Sequence, residues 1–261
     1  MVAASIISIF LKLKFFLCVV LRVLLNWCYG GGKCMICSRE TVAGDICFAC
    51  REKYLYSRCR VETEGRRCSV CGKRLLSEDN LCMDCREHKV INSCDFVFPI
   101  LSYRLWAKTV MFQWKANGHR GLSWIFAKLC HRALSSFFAD EPSVIVPVPP
   151  RPGKIRKKGW DQVDELCRIL EHKYGHRVMR LLERTNSVQQ KKLDRDHRLH
   201  SESKRYVLSK KGLALKRENI PECVILIDDV MTTGITVESC AAELKSVGIS
   251  KVKVLTIFVV D

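Results

Sequence analysis

The stretch Val224-Ile225-Leu226-Ile227-Asp228-Asp229-Val230-Met231-Thr232-Thr233-Gly234-Ile235-Thr236 decides the fold of this chain. Its four leading aliphatic residues are typical of a strand buried on both faces of a parallel sheet. A helical pattern follows the turn and ends at Gly248, a residue suited to the position after a helix C-terminus. The order strand, turn, helix predicts an α/β fold with Asp228 and Asp229 at the carboxyl end of a strand, where such sheets bind ligands.

The turn after this strand suits a phosphorylated ligand. Thr232, Thr233 and Thr236 offer hydroxyl groups, Gly234 lets the backbone approach closely, and the helix N-terminus supplies N–H groups. The two carboxylates before the turn fit a Mg²⁺ ion or ribose hydroxyls. The whole run resembles the phosphoribosyl-pyrophosphate (PRPP) signature of type I phosphoribosyltransferases. The simpler interpretation is a buried strand followed by an Asp-rich turn and a helix cap.

Composition limits the size and the partners of the chain. Its 261 residues leave room for one α/β domain and a small appendage. A net charge of +17 and a pI near 9.3 favour polyanionic partners. Nucleotides, pyrophosphate, nucleic acid and anionic membranes all meet this condition, and composition does not separate them.

A second signature is a repeated four-cysteine unit near the N-terminus. Each unit has two Cys-x2-Cys pairs, and the two units align with each other. The cysteines concerned are Cys34, Cys37, Cys47, Cys50, Cys68, Cys71, Cys82 and Cys85. Paired thiolates at this spacing are typical of tetrahedral zinc, with Zn–S distances of ~2.3 Å. The repeat therefore predicts two structural Zn²⁺ sites.

Other roles for these cysteines are weaker. The intracellular character of the rest of the chain disfavours disulfides, and iron–sulfur clusters usually have different spacings. A catalytic zinc needs an open coordination position, whereas each unit supplies all four ligands. The remaining cysteines have no pairing pattern and are interpreted as core or incidental thiols: Cys18, Cys28, Cys59, Cys94, Cys130, Cys167, Cys223 and Cys240.

Residues 1–30 form an apolar leader. Lys12, Lys14 and Arg22 interrupt it, and their insertion cost nearly balances the gain from the apolar residues. No basic segment precedes the apolar run and no small-residue cleavage site follows it, which argues against a secretory signal. We expect a helix that packs on the folded body or is loosely ordered in a cytoplasmic protein, with membrane contact through the leader as the alternative.

From Asp95 onward the pattern is that of a compact domain. A strand pattern over 96–100 precedes two apolar helical patterns, the first of which ends near Gly118. The tryptophans at helical spacing are interpreted as core residues rather than base-stacking platforms: Trp106, Trp114 and Trp124.

A basic loop follows a second predicted buried strand over 143–148. From Arg151 to Gly159 the loop has five basic residues and no acidic one. At the mouth of an α/β sheet, Arg151, Arg156 and Lys157 would neutralise a pyrophosphate group. A solvated basic loop or a nucleic-acid contact would have the same composition.

A polar, charged stretch lies between Arg184 and Ser201. Loops of this length inside a compact domain are uncommon unless they act as lids or binding segments. A lid would suit PRPP chemistry, because loss of pyrophosphate develops an oxocarbenium ion that water would capture in an open site. Candidate lid residues are Arg184, Gln190 and Arg198.

Taken in order, these elements resemble the ComF/GntX family of phosphoribosyltransferase-like proteins over nearly all of residues 31–261. Besides the cysteine unit and the PRPP signature, the resemblance rests on motif residues along the chain: Tyr103, Lys115, Gly118, Pro147 to Pro149, Gly159, Trp160, Gln162, Arg184, Gln190, Leu193 and Arg198. The sequence departs from the family pattern in doubling the cysteine unit and in having Ser187 and Ser201 where Thr and Asn are usual.

The resemblance implies both a fold and a ligand. It implies a type I phosphoribosyltransferase-like parallel sheet flanked by helices and preceded by a double zinc ribbon. PRPP or a related nucleotide would bind with its 5′-phosphate on Thr232 to Thr236, its ribose on Asp228 and Asp229, and Mg²⁺ between hydroxyls and pyrophosphate. The implied boundaries are 1–30 for the leader, 31–92 for the zinc ribbons and 93–261 for the phosphoribosyltransferase-like domain.

Three functions stay open at this point. The first is a phosphoribosyltransferase with an unknown acceptor. The second is a non-enzymatic accessory in competence and DNA uptake, the processes to which family relatives are tied, binding single-stranded DNA or a competence-machinery protein through the zinc ribbons. The third is a sensor that binds nucleotide and regulates a partner. Fold resemblance alone does not separate them.

Overall fold

A computed structural model describes most of the chain: residues 32–41, 45–56, 66–139, 143–185 and 205–260, together with Leu17, Val20, Leu21 and Leu24. These four leader residues are helical and exposed. The rest of the predicted leader helix lies outside the described residues. Within the described part of the chain, no helix has both the length and the hydropathy needed to cross a membrane.

Among the described residues, eight strands form three sheets. They are β1 (Gly32–Lys33), β2 (Glu40–Thr41), β3 (Phe96–Ser102), β4 (Ser143–Pro147), β5 (Leu182–Arg184), β6 (Tyr206–Leu208), β7 (Cys223–Met231) and β8 (Lys251–Val259). The central sheet has the order β3-β8-β7-β4 and is parallel throughout. Strand β7 has neighbours on both sides, which explains why its sequence is an uninterrupted aliphatic run.

Helices and short helical turns connect the strands and flank the central sheet. They are α1 (Phe48–Cys50), α2 (Met83–Glu87), α3 (Trp106–Lys115), α4 (Gly121–Phe137), α5 (Lys154–Lys158), α6 (Gln162–Tyr174), α7 (Lys210–Leu213) and α8 (Ile235–Ser246). A π-helical turn over Arg51–Tyr56 follows α1, and a 3₁₀ turn over Arg217–Asn219 precedes β7. The parallel sheet flanked by helices confirms the predicted phosphoribosyltransferase-like fold class.

The two faces of the sheet carry separate hydrophobic clusters. One cluster contains the buried faces of α3, α4 and α6, and it includes Cys34 and Cys50 of the first cysteine unit. The other contains the buried face of α8, and it includes Cys68, Cys71 and Cys82 of the second unit. The two cysteine units therefore pack on opposite sides of the sheet.

Helix α6 shows how sequence signals set the element boundaries. Asp161 caps its N-terminus, because its carboxylate accepts hydrogen bonds from the backbone N–H groups of Val163 and Asp164, both at 3.0 Å. Gly175 ends the helix in the left-handed conformation, with φ of 75°. Gly248 follows α8 in the same conformation, as predicted, with φ of 97°.

The predicted tryptophan packing is confirmed. Trp114 is fully buried, and its indole N–H donates to the Ser123 hydroxyl at 2.8 Å. That hydroxyl donates to Glu165 on α6, also at 2.8 Å, so the polar atoms of this core contact are satisfied. Trp106 and Trp124 are partly buried against the same cluster.

Candidate phosphate and metal sites

The first cysteine unit brings four sulfur atoms together. The strands β1 and β2 pair antiparallel on either side of a turn that carries Cys34 and Cys37, and α1 begins after Cys47. All four Sγ atoms lie within 4.8 Å of one another, and Cys37 Sγ is 3.7 Å from Cys47 Sγ. Burial raises the pKa of Cys34, but hydrogen bonds from backbone N–H groups outweigh it and lower the pKa to about 6.

The second unit repeats this arrangement. Its four Sγ atoms also lie within 4.8 Å of one another, with 3.6 Å between those of Cys71 and Cys82. Burial raises the pKa of Cys68, and hydrogen bonds from backbone N–H groups again prevail, lowering it to about 7. Gly72 has φ of 70°, and a Cβ atom there would lie 2.2 Å from the carbonyl oxygen of Val97. Only glycine allows this unit to pack directly on β3.

Both clusters fit a tetrahedral metal ion. Four sulfurs at ~2.3 Å from zinc lie about 3.8 Å apart, close to the observed separations. None of the cysteines in the described residues forms a disulfide. The donor set is all sulfur, and N–H groups directed at Cys34 and Cys47 stabilise thiolates. These observations make both units compatible with zinc ribbons.

The two aspartates of β7 point to opposite faces of the sheet. Successive strand residues alternate, and Ile227 belongs to the α3–α4–α6 side while Leu226 belongs to the α8 side. Asp229 accordingly meets Lys115 of α3, whose Nζ lies 2.9 Å from its Oδ2. The Gln162 amide also donates to this oxygen. Both aspartates are buried, at 9% exposure for Asp228 and 5% for Asp229.

Burial dominates the protonation of Asp228. Loss of hydration and the nearby charge of Asp229 raise its pKa to about 8, against the opposing effects of the Asp229 N–H and Lys115. The N–H of Asp229 donates to Asp228 Oδ1 at 2.8 Å. At neutral pH the Asp228 carboxyl is therefore largely protonated in the ligand-free protein, and the pair carries less negative charge than two free aspartates.

The threonine hydroxyl groups of the turn after β7 differ in their surroundings. Thr232 and Thr233 are exposed, whereas the Thr236 hydroxyl interacts with the Tyr206 hydroxyl of β6. Gly234 has φ of 86° immediately before α8, so its backbone conformation favours glycine. The space beside its α-carbon is filled by Ile91, because a Cβ atom there would lie 2.6 Å from Ile91 Cδ1.

The predicted basic loop is wrong in part, because Lys154–Lys158 form the short helix α5. This basic segment and the start of the polar stretch share one cleft. It has a volume of about 610 Å³ and is lined by residues 149–153 with Ile155 and Arg156 on one side and by Leu182 to Arg184 on the other. Arg151, Arg156 and Arg184 thus meet in the cleft, while Lys157 lies on α5 next to it. The aspartates and Thr232 to Thr236 do not line this cleft.

The lid candidates are only partly described. Arg184 pairs with Tyr206 at the end of the antiparallel β5–β6 hairpin, and its guanidinium carbon lies 5.5 Å from the centre of the Tyr206 ring. Gln190 and Arg198 lie outside the described residues, as do Ser187, Leu193 and Ser201. The hairpin fixes the positions of Arg184 and Tyr206, which flank the polar stretch in the sequence.

Comparison with known proteins identifies a protein that is similar in sequence. No family model matches the chain. It is 26% identical over 200 residues to Competence protein ComFC of Bacillus subtilis (strain 168), an alignment that covers 75% of this chain and 76% of that protein. This similarity supports the resemblance to ComF/GntX proteins. The cysteine units and the parallel sheet occur in the order that the resemblance to ComF/GntX proteins implied.

Two ComF motif residues, Lys115 and Gln162, meet at Asp229 although they lie far apart in the chain. The Gln162 carbonyl in turn accepts from Lys154 of the basic loop, whose Nζ lies 2.6 Å from Asp161 Oδ2. This network links the loop to the acidic end of β7. In the sequence Lys154 is only one of five basic residues, because nothing in its spacing indicates a buried partner.

Proposed function

We propose that this ComF-like protein binds PRPP or a related nucleotide at the carboxyl end of β7. The proposal is supported by three features that follow the neighbouring strands β4 and β7: an aspartate pair, the turn over residues 232–236 at a helix N-terminus (the threonine turn), and a separate cleft lined by arginines. Strands β4 and β7 are hydrogen-bonded neighbours, so the loop after β4 starts beside Asp228. Phosphate, ribose and pyrophosphate each require one of these features.

In the proposed complex the 5′-phosphate lies on the exposed hydroxyls of Thr232 and Thr233 and the N–H groups of the first turn of α8. Arg151, Arg156 and Lys157 surround the pyrophosphate, and Arg184 closes the cleft from the hairpin. Catalysis, for an acceptor still to be identified, would consist mainly of positioning and of neutralising the leaving group.

The aspartates suit ribose hydroxyls and, less directly, a cation. Carboxylate oxygens are appropriate donors for Mg²⁺, but Lys115 and Gln162 already occupy Asp229. The aspartates would therefore contribute little to holding Mg²⁺, and the charge that such an ion would supply is needed at the pyrophosphate. The ribose hydroxyls would then compete with Lys115 for Asp229.

Replacing Thr233 with Ala should weaken PRPP binding about tenfold or more, because one hydroxyl donor to a charged phosphate is lost. Thr233 is exposed, so the fold is expected to be unaffected. Titration calorimetry with PRPP and Mg²⁺ measures the effect. The control is Ser239→Ala on the same helix, whose hydroxyl donates to the Ile235 carbonyl at 2.8 Å. Absence of PRPP binding by the unmodified protein would exclude the proposal.

Turnover is a separate question from binding. Release of pyrophosphate from PRPP in the presence of candidate bases, amines or nucleic acids would identify a transferase. Binding without release under every acceptor would favour a nucleotide sensor.

A second candidate function is single-stranded DNA binding in competence, favoured by a groove of about 450 Å³ beside the second cysteine unit. Four basic side chains line it, Arg67, Lys73, Arg74 and Arg104, together with the two carboxylates of Glu78 and Asp84. Apolar side chains complete the lining, of which Leu76 and Leu105 are more than four-fifths exposed. Positive charge mixed with exposed apolar groups suits phosphates and bases. The name of the Bacillus relative, a competence protein, agrees with this role.

The double variant Arg74→Ala/Arg104→Ala tests this groove. If each arginine contacts one phosphate, the slope of log affinity for single-stranded DNA against log salt should fall by about 1.4. Fluorescence anisotropy with an oligonucleotide at several salt concentrations gives the slope. Lys210→Ala/Lys211→Ala on α7 removes the same charge outside the groove lining and should leave the slope unchanged. Equal effects of both pairs would show non-specific attraction only.

A further inference from the structure

The segment that joins the second cysteine unit to β3 lies across the first turn of α8. The backbone N–H of Asn92 donates to Glu238 Oε2 at 2.8 Å. The N–H of Ser93 donates to the same oxygen at 2.9 Å, and its hydroxyl donates to Oε1 at 2.7 Å. One carboxylate thus holds two consecutive residues that are about 145 positions away in the chain.

A buried apolar contact accompanies these hydrogen bonds. Ile91 is 4% exposed and covers Gly234, the last residue before α8. Any larger residue at position 234 would collide with Ile91 as well as strain the backbone. We call Ile91, Asn92, Ser93 and Glu238 the α8 latch. The α8 latch therefore holds Gly234 and the start of α8 against a segment that lies outside the sheet.

The second cysteine unit is firmly attached on its other side. Arg67 donates to the carbonyl oxygens of Gly72 and Pro99, at 2.8 and 3.0 Å, and so ties the unit to β3. Ile91 follows the last ligand, Cys85, by only six residues. The first unit packs on the opposite face of the sheet, with α3 and α4, and has no part in this contact.

We propose that Ile91 and Glu238 are positioning residues for the threonine turn, and that metal binding by the second cysteine unit, but not by the first, orders this turn for a phosphorylated ligand. The coupling rests on the proposed PRPP site. Without its metal, the second unit loses the fixed geometry that sets the start of the segment over residues 86–93. The residues Ile91 to Ser93 of the α8 latch are then no longer held in position by the second unit. As a result, the backbone amides of the first turn of α8 become more mobile.

Hydrogen exchange measures this coupling without any ligand. Glu238→Gln and Cys85→Ser should each accelerate exchange in residues 232–238 more than in the rest of the central sheet. Glu243→Gln on the same helix should leave exchange there unchanged, and Cys37→Ser, which destabilises the first unit, should accelerate it no more than in the rest of the sheet. The affinity for PRPP should fall about 2- to 30-fold in the first two variants only. Because both changes act through one contact, the double variant Glu238→Gln/Cys85→Ser should be no weaker than Cys85→Ser alone.

Two results would overturn the coupling. One is unchanged exchange at residues 232–238 in Glu238→Gln, and the other is an equal response to Cys37→Ser and Cys85→Ser. Additive losses in the double variant would also contradict it, because they would indicate two independent structural effects. If the unmodified protein fails to bind PRPP, the proposed function fails, and the exchange data still decide the coupling. Ile91→Ala, which leaves every cysteine in place, provides a second test should Cys85→Ser not fold.

Discussion

Cys37→Ser is expected to reduce the zinc content of the protein from two ions to one and its free energy of unfolding by at least about 3 kcal/mol. Cys37 is the exposed ligand of the first unit, so serine opens no cavity there. What the variant loses is a thiolate that completes the tetrahedral set. Since the first unit contributes Cys34 and Cys50 to the cluster under α3 and α4, its collapse would also expose part of that core.

Atomic absorption and urea denaturation of the same preparation measure both quantities. Cys85→Ser should remove the other ion, and the two variants should differ in which segment becomes sensitive to protease. Cys94→Ser is the control, because Cys94 is half-buried but belongs to neither cluster. Retention of two ions at full stability in Cys37→Ser would show that the first unit is not a structural zinc site.

The sequence predicts the cysteine units and the central strand well because both signals are local. Two Cys-x2-Cys pairs close together in the sequence can place four sulfur ligands around one metal ion almost independently of the rest of the chain. A run of aliphatic residues on both faces requires helices above and below, and so indicates a parallel sheet. The order of the strands is not local. It depends on which segments bury one another, and β3 and β8 pair although they lie at opposite ends of the α/β region.

The aspartates show where local reasoning stops. The sequence predicts that the strand ends at the two aspartates, whereas β7 continues to Met231 and contains both of them. Their burial and their partners do not follow from the sequence. Lys115 and Gln162 reach Asp229 only because α3 and α6 pack on the same face of the sheet. A resemblance to known motifs draws attention to both residues, yet the contact between them and Asp229 becomes visible only in three dimensions.

Gly72 and Gly234 also have contacts that the sequence does not predict. The sequence predicts that Gly234 lets a phosphate approach the backbone, and Gly72 has a positive φ in the second cysteine unit. In the structure each also makes room for another part of the chain, Ile91 in one case and Val97 in the other. A sequence records that a glycine is present, but not which of several close approaches requires it.

Asp228→Asn should make the protein more stable relative to the unmodified chain as the pH rises. The pKa of Asp228 is raised from about 4 in the unfolded chain to about 8 in the folded one. Between these values the folded state keeps a proton that the unfolded state has released, so the stability of the unmodified protein falls with increasing pH. Asn resembles the protonated acid and does not titrate. The stability difference should grow by up to about 1.4 kcal/mol per pH unit and level off above about pH 8.

Urea denaturation of both proteins at several values between about pH 5 and pH 9 gives this difference. Asp229→Asn is the informative control. It removes the neighbouring negative charge that helps to raise the pKa of Asp228, so the window of falling stability should move to lower pH. A difference between Asp228→Asn and the unmodified protein that is independent of pH would mean that Asp228 is ionised throughout.

The same carboxyl should also make ligand binding depend on protons. If ribose hydroxyls or a cation require the ionised form of Asp228, binding of PRPP with Mg²⁺ near neutral pH should release up to about one proton. The release is measured as a dependence of the calorimetric heat on the ionisation enthalpy of the buffer, and Asp228→Asn should abolish it.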